Sequence, residues 1–262
     1  MSRNYLIILL DIFEFLIAKT LVFSINKIVI NFIYGIALFY LVFKAFFYYS
    51  EVDWGPDAKA HLSYIYYEYS HPGELIPQFE QMQMVDFKVV GDKAYILGLS
   101  KDVCYLGHPP LYYMLMNFMG CVRTDSNTMY IDMYRVLVVN ILLVTIGLAM
   151  CMEVGRRKIE NMSNSILSHA LFATITVSLP MVSYVGSCAS NDNILYLAVG
   201  ILLVGLERGV SGKRNCVTYW IIAIGVFMAV MSKLTIGLIT LVALAVVVLY
   251  LMLSERSVRV LW

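Results

Sequence analysis

Residues 215–254 read NCVTYWIIAIGVFMAVMSKLTIGLITLVALAVVVLYLMLS, with Lys233 as the one charged side chain. A helix needs about 20 mostly apolar residues to cross the ~30 Å hydrocarbon layer of a bilayer. Two such runs, joined at a single lysine, predict a pair of spans at 215–232 and 234–254. Working backwards from this pair, the charges mark out four more. Residues 28–43 are uncharged between Lys27 and Lys44, which gives a span over 28–49. Val136–Met152 lies between Arg135 and Glu153, inside a span over 131–154. No Asp, Glu, Lys or Arg occurs from Asn161 to Asn191, which predicts a span over 163–186, and a shorter run follows over 191–207.

Composition agrees. Of the 262 residues, 60% are hydrophobic and only 14% charged, with mean hydropathy +0.76. A soluble domain has roughly 25% charged residues, so soluble, disordered and nucleic-acid-binding classes are excluded. The net charge of +1 leaves no basic stripe for a polyanion, and no nucleic-acid partner is expected. The expectation is an all-α polytopic membrane protein of about six spans, with membrane lipid as its solvent.

Two apolar stretches read differently. Residues 4–23 carry Asp11, Glu14 and Lys19 at a spacing that keeps them on one face, which predicts an interfacial helix. No small-residue cleavage site follows, as a signal peptide would require. Residues 109–122 are too short to cross and predict a second interfacial helix. Basic residues then set the orientation. Placing the N-terminus in the cytoplasm puts Arg3, Lys19 and Lys27 inside. Arg156, Arg157 and Lys158, then Arg208, Lys213 and Arg214, and then Arg256 and Arg259 also fall inside. Residues 50–130 become one long structured outer loop of a multi-pass protein of the cell membrane.

That loop gathers the charge: residues 51–110 hold nine acidic residues, four lysines and three of the four histidines. A long loop with this content is more often functional than connective, although a solvated loop explains the charge equally well. In Asp53-Trp54-Gly55-Pro56-Asp57-Ala58-Lys59-Ala60-His61, a helix starting near Pro56 puts Asp57 and His61 at i and i+4. Such a pair shares a proton, orients a base, binds a metal or simply marks a helix start. In Gly107-His108-Pro109-Pro110-Leu111, the prolines hold His108 at a helix entry, where free backbone N–H groups favour an anion. Ser190-Asn191-Asp192-Asn193 puts a carboxylate at the rim of the fourth span, as an N-cap or a functional acid. Lys233 either snorkels from its turn or meets a lipid phosphate, and Arg135 at the start of the second span is ambiguous in the same way.

In this order the patterns resemble the membrane glycosyltransferases of the GT-C fold, in the branch of the protein O-mannosyltransferases and aminoarabinose transferases. Asp57-Ala58-Lys59-Ala60-His61 is similar to that family's Asp-Glu-x-x-His, and His108-Pro109-Pro110-Leu111 to its His/Lys-Pro-Pro-Leu. Arg135-Val136, Asn191-Asp192 and Ser232-Lys233-Leu234 are similar to its Arg-Leu start, its Asn-Asp entry and its Thr-Lys-Leu turn. The resemblance covers residues 28–253 and implies a single GT-C-like transmembrane module over 1–262. It implies transfer of a hexose or pentose from a polyprenyl-phosphate donor to an acceptor hydroxyl at the outer face, with inversion. Asp57 is then the general base. Asp192 helps hold the acceptor or a divalent cation, while Asn191, His61, His108, Arg135 and Lys233 contact substrate, the last three facing the phosphate.

Two departures bear on this. The second carboxylate of the family motif is Ala58 here, which weakens a divalent cation held by Asp57, His61 and Asp192. The chain is also shorter than such transferases. A non-catalytic lipid-binding subunit, or half of a split enzyme completed by a second membrane subunit, is therefore the alternative, with a transporter behind it. The five cysteines form no CxxC; Cys104 and Cys121 both fall outside and could pair, without any spacing that requires it.

Overall fold

The computed structural model describes residues 3–51, 57–162 and 165–259. Nine helices occur among them: α1 Arg3–Glu51, α2 Ala58–Ser70, α3 Leu111–Phe118, α4 Met133–Met162, α5 Ile166–Ser178, α6 Pro180–Ser187, α7 Asp192–Val210, α8 Cys216–Val230 and α9 Leu234–Arg259. The fold is predominantly helical, as the hydropathy pattern predicts. Three segments are long and apolar enough to cross a membrane: Asn26–Ser50 within α1, α4, and α7. A fourth span is available if α5 and α6, bent by 47° at the break before Pro180, act as one. The other two expected spans are shorter apolar helices, α8 with 15 residues and Leu234–Tyr250 within α9. At 1.5 Å per residue, α8 is about 22 Å long, less than the hydrocarbon thickness.

The expected break between an interfacial helix and the first span does not occur. α1 runs unbroken for 49 residues. No Gly or Pro lies between Arg3 and Tyr34, so nothing in the sequence interrupts the ladder. The face formed by Asp11, Glu14 and Lys19 falls among residues whose side chains are not described.

The expected outer loop contains a four-stranded antiparallel sheet that hydropathy did not reveal. Its strands are β1 Gln83–Val90, β2 Lys93–Val103, β3 Val122–Asp125 and β4 Thr128–Asp132, in the order β1-β2-β4-β3. Both hairpins close through two-residue loops. Gly91 (φ 58°) starts the first, and Ser126 and Asn127 (φ 46° and 67°) form the second. Positive φ at both central residues is the signature of the tight turn whose twist matches paired strands. α3 is shorter than the helix expected over 109–122, because Gly120 (φ 67°) turns the chain into β3.

Two apolar cores result. One joins α2, α3, the sheet and the start of α4, through Leu62, Tyr64, Ile65, Met82, Tyr112, Tyr113 and Ile131. The other joins α1, α4, α5 and α6, through Tyr34, Leu41, Val144, Leu148, Ala173 and Val182. α4 and α7 meet backbone to backbone. A Cβ on Gly147 would lie 2.3 Å from the Tyr196 carbonyl, and one on Gly200 would lie 2.5 Å from the Gly147 oxygen. Small residues at such a crossing let two helices approach closely in an apolar medium. The crossing carries α7 so that its first residue, Asp192, stands at the sheet end of the bundle.

Candidate functional site

Three elements converge on the sheet end. The turn between α8 and α9 carries Lys233 and is stapled twice. Leu111 N–H at the start of α3 donates to Met231 O (3.2 Å), and Asn191 Nδ2 donates to Ser232 O (2.9 Å). Asn191 is thus a buried positioning group, 1% exposed. The staple brings Lys233 Nζ to 2.8 Å from Asp192 Oδ1, with both side chains about a third exposed. Behind Asp192 opens a groove of about 410 Å³ lined by Cys151, Met181, Val185, Leu195, Tyr196 and Ile236, apolar apart from the acid at its mouth.

α2 supplies the next wall. Asp57 precedes it in the left-handed region (φ 63°) and makes no side-chain cap. A non-glycine residue at positive φ is strained, and a helix-starting aspartate ordinarily accepts from the first turn. Here the carboxylate turns away instead and accepts a hydrogen bond from the exposed Tyr105 hydroxyl. That bond, ahead of burial, pushes the Tyr105 pKa up to about 12. Asp53 to Pro56, the start of the motif, lie outside the described residues.

His61 is 5% exposed. Its Nδ1 lies 3.0 Å from the Tyr113 hydroxyl, and the two rings stack. Tyr113 in turn stacks on Tyr64 with centroids 3.6 Å apart, and the Tyr64 hydroxyl donates to His108 O (2.7 Å). This ladder fixes the entry to α3. Burial first, then repulsion from His108, lowers the pKa of His61 to about 4 against the opposing pull of Asp57 and Asp192. His108 is also lowered, first by burial and then by Lys233. The charges of Asp57, Asp192 and Lys233 thus reach both imidazoles, which burial holds toward the neutral form.

Arg135 is not brought to this cluster. Its Nε lies 3.4 Å from Asp132 Oδ2, its backbone N–H donates to Asp132 Oδ1, and its Nη1 donates to Gly120 O, beside the sheet. Asp57, His61 and Asp192 do not fit a divalent cation either. Among the described residues, no three His, Cys, Asp or Glu side chains lie close enough to hold one. Cys104 and Cys121 are buried free thiols, not a pair.

The sequence reading missed the polar groups that brace the site from below. The buried Tyr112 hydroxyl donates to Asn140 Oδ1 (3.0 Å), and Asn140 Nδ2 donates to Cys188 O (2.7 Å). Asn193 Nδ2 shares that carbonyl (3.0 Å) and also reaches Ser190 O (2.9 Å). This network ties α3, α4 and the start of α7 together. Asn140 and Asn193, amides inside apolar runs, were the available signal. Tyr105, which holds Asp57, carried none.

No family model, no curated protein and no solved structure matches the chain.

Proposed function

We propose that this chain acts on a polyprenyl-phosphate-linked sugar at the outer face of a membrane and transfers the sugar to an acceptor hydroxyl. What supports the reading is the Asp192–Lys233 pair, whose acid lines an apolar groove and whose charges, with that of Asp57, reach His61 and His108. In this reading the lipid chain lies in the groove between α4, α6, α7 and α9, and its phosphate meets Lys233. Asp192 holds that ammonium at the mouth and faces the acceptor. Asp57 takes the proton of the acceptor hydroxyl. The hydroxyl oxygen attacks the anomeric carbon, the bond from that carbon to the phosphate oxygen breaks, and its electron pair leaves with the phosphate. Lys233 offsets the charge that builds there. His61 and His108, held toward the neutral form, add no positive charge beside the pair, and Arg135 takes no part. No step passes through a metal ion.

The test is sugar transfer by the purified chain in liposomes loaded with a polyprenyl-phosphate sugar. Asp57→Asn is expected to lower transfer by about 10²–10⁴-fold, the usual contribution of a general base, with an unchanged melting temperature. Undiminished transfer in that variant overturns the assignment. Retained lipid binding without turnover in the wild type points to the non-catalytic alternative.

A further inference from the structure

The chain just after β2 is pinned to the first turn of α2. Cys104 N–H donates to Met82 O (2.7 Å), and Cys104 Sγ donates to Ala60 O (3.6 Å), three residues beyond Asp57. Cys104 and Leu106 are 3% and 6% exposed, whereas Tyr105 between them is 63% exposed. Two inward anchors therefore turn the tyrosine outward, and the Cys104–Ala60 contact sets it beside the start of α2. Asp57 meets it there. The Asp57 backbone already serves the helix, accepting from His61 N–H (2.9 Å) at φ 63°. Lys59, the cation nearest in sequence, is taken by Asp86 (2.8 Å). Among the described residues, Asp57 makes one side-chain hydrogen bond, through Oδ1 to the Tyr105 hydroxyl. With its pKa pushed up to about 12, that hydroxyl keeps its proton wherever a carboxylate is charged.

We propose that Tyr105 is a positioning residue for the transfer: its hydroxyl holds Asp57 Oδ1 and leaves Oδ2 turned to the acceptor hydroxyl. The inference rests on the reading of Asp57 as the base. A free carboxylate rotates about its own bond, and the unpaired N–H groups that begin α2 compete for it. A phenolic donor on one oxygen fixes that rotation through a short, charge-assisted bond. In the transfer step the acceptor proton passes to Oδ2, while the phenolic proton stays on Tyr105. The tyrosine touches neither the sugar nor the phosphate, so its contribution falls on the rate of the step and not on substrate binding.

The experiment is a double-mutant cycle over the wild type, Tyr105→Phe, Asp57→Asn and the double variant. Turnover of the purified full chain in liposomes is read as release of free polyprenyl phosphate, with a polyprenyl-phosphate hexose as donor and glycerol as acceptor. Tyr105→Phe keeps the exposed ring and removes only the hydroxyl. It is expected to lower kcat about tenfold, as loss of one hydrogen bond to a charged group does, with the donor KM and the melting temperature unchanged. In the Asp57→Asn background the same change is expected to have no effect, because no base remains to be aimed. Undiminished kcat in Tyr105→Phe beside lost turnover in Asp57→Asn overturns this inference alone. So does a raised KM at unchanged kcat, or a further tenfold fall in the double variant. Absence of turnover in the wild type, or undiminished turnover in Asp57→Asn, overturns the base reading and this inference with it.

Discussion

The Arg156 clamp at one end of the helical bundle and the Asp192–Lys233 site at the other handle charge in opposite ways. At the arginine end, Arg156 bonds Glu153 through Nε and Nη2 (2.7 and 2.8 Å) and also pairs with Glu160. Arg157 joins Glu153 (2.8 Å) to Glu207 on α7 (3.7 Å). Acids and bases there are spent on one another and clamp α4 to α7. At the sheet end, Asp57 meets a tyrosine hydroxyl, Lys233 meets one carboxylate, and His108 makes no side-chain hydrogen bond among the described residues. Interlocked pairs hold a structure, whereas lightly paired groups of both signs around an apolar groove leave valences for something else. Both ends are built on the same α4–α7 crossing.

Breaking that crossing should erase the comparison altogether. Gly147→Leu drives a side chain into the Tyr196 backbone and is expected to destabilise by about 3 kcal/mol or more, seen as loss of monodisperse protein and of the thermal transition in detergent.

The next test separates charges that support the sheet end from those that burden it. Glu68 on α2 is 3% exposed, and neither carboxylate oxygen has a hydrogen-bond partner among the described residues. Burial raises its pKa to about 7, with Glu74 adding to the effect. A carboxyl whose folded pKa is raised contributes stability at low pH that is lost as pH rises through that value. Glu68→Gln is therefore expected to stabilise the protein at pH 8, by about 2 kcal/mol. His61 has the opposite sign. Its folded pKa is depressed from 6.5 to about 4, so its stabilisation is present above 6.5 and lost as pH falls toward 4. The two slopes offset one another in the wild type between about 4.5 and 6.5. In Glu68→Gln, stability should fall on acidification from 6.5 to 4. In His61→Gln, it should fall as pH rises from 4.5 to 7. Chemical denaturation across pH 4–8 reads both, and parallel profiles in the two variants would contradict the assignment.

A smaller effect sharpens the contrast from the clamp side. Arg156→Ala strips Glu160 of its arginine and leaves Glu153 to Arg157 alone, and is expected to lower stability by about 1 kcal/mol, without altering binding of a polyprenyl phosphate.

Which parts of this were legible in the sequence follows from what each residue needs. Long apolar runs announce helices because nothing else hides a backbone from hydrocarbon. α1, α4 and α7 were found on that ground, and so was the lysine that divides α8 from α9. The sheet was hidden because β1 and β2 are exposed or half-buried at most positions, so neither shows a clean apolar alternation. Its first two-residue loop, Gly91-Asp92, was nonetheless readable as a hairpin turn, whereas Ser126-Asn127 carried no such signal. Within the site, Asp192 and Lys233 stood out as lone charges at the rims of apolar runs and turned out to be partners. Arg135 looked equivalent by the same criterion, yet Asp132, three residues earlier, claims it. Local competition of that kind is visible in sequence only once the strand ending at Asp132 is known. The Tyr64–Tyr113–His61 stack joins residues 61 and 113, and only the packing of α3 on α2 reveals it.

The central claim is that the Asp192–Lys233 site takes a polyprenyl phosphate and the Arg156–Glu153–Glu160 clamp does not. It is tested most directly by the affinity of the purified chain for a polyprenyl phosphate in detergent, comparing the wild type with Lys233→Gln and Arg156→Gln. Loss of a charge-assisted contact of about 1.4 kcal/mol corresponds to tenfold. The account predicts about tenfold weaker binding in Lys233→Gln and wild-type binding in Arg156→Gln. Wild-type affinity in Lys233→Gln would contradict it.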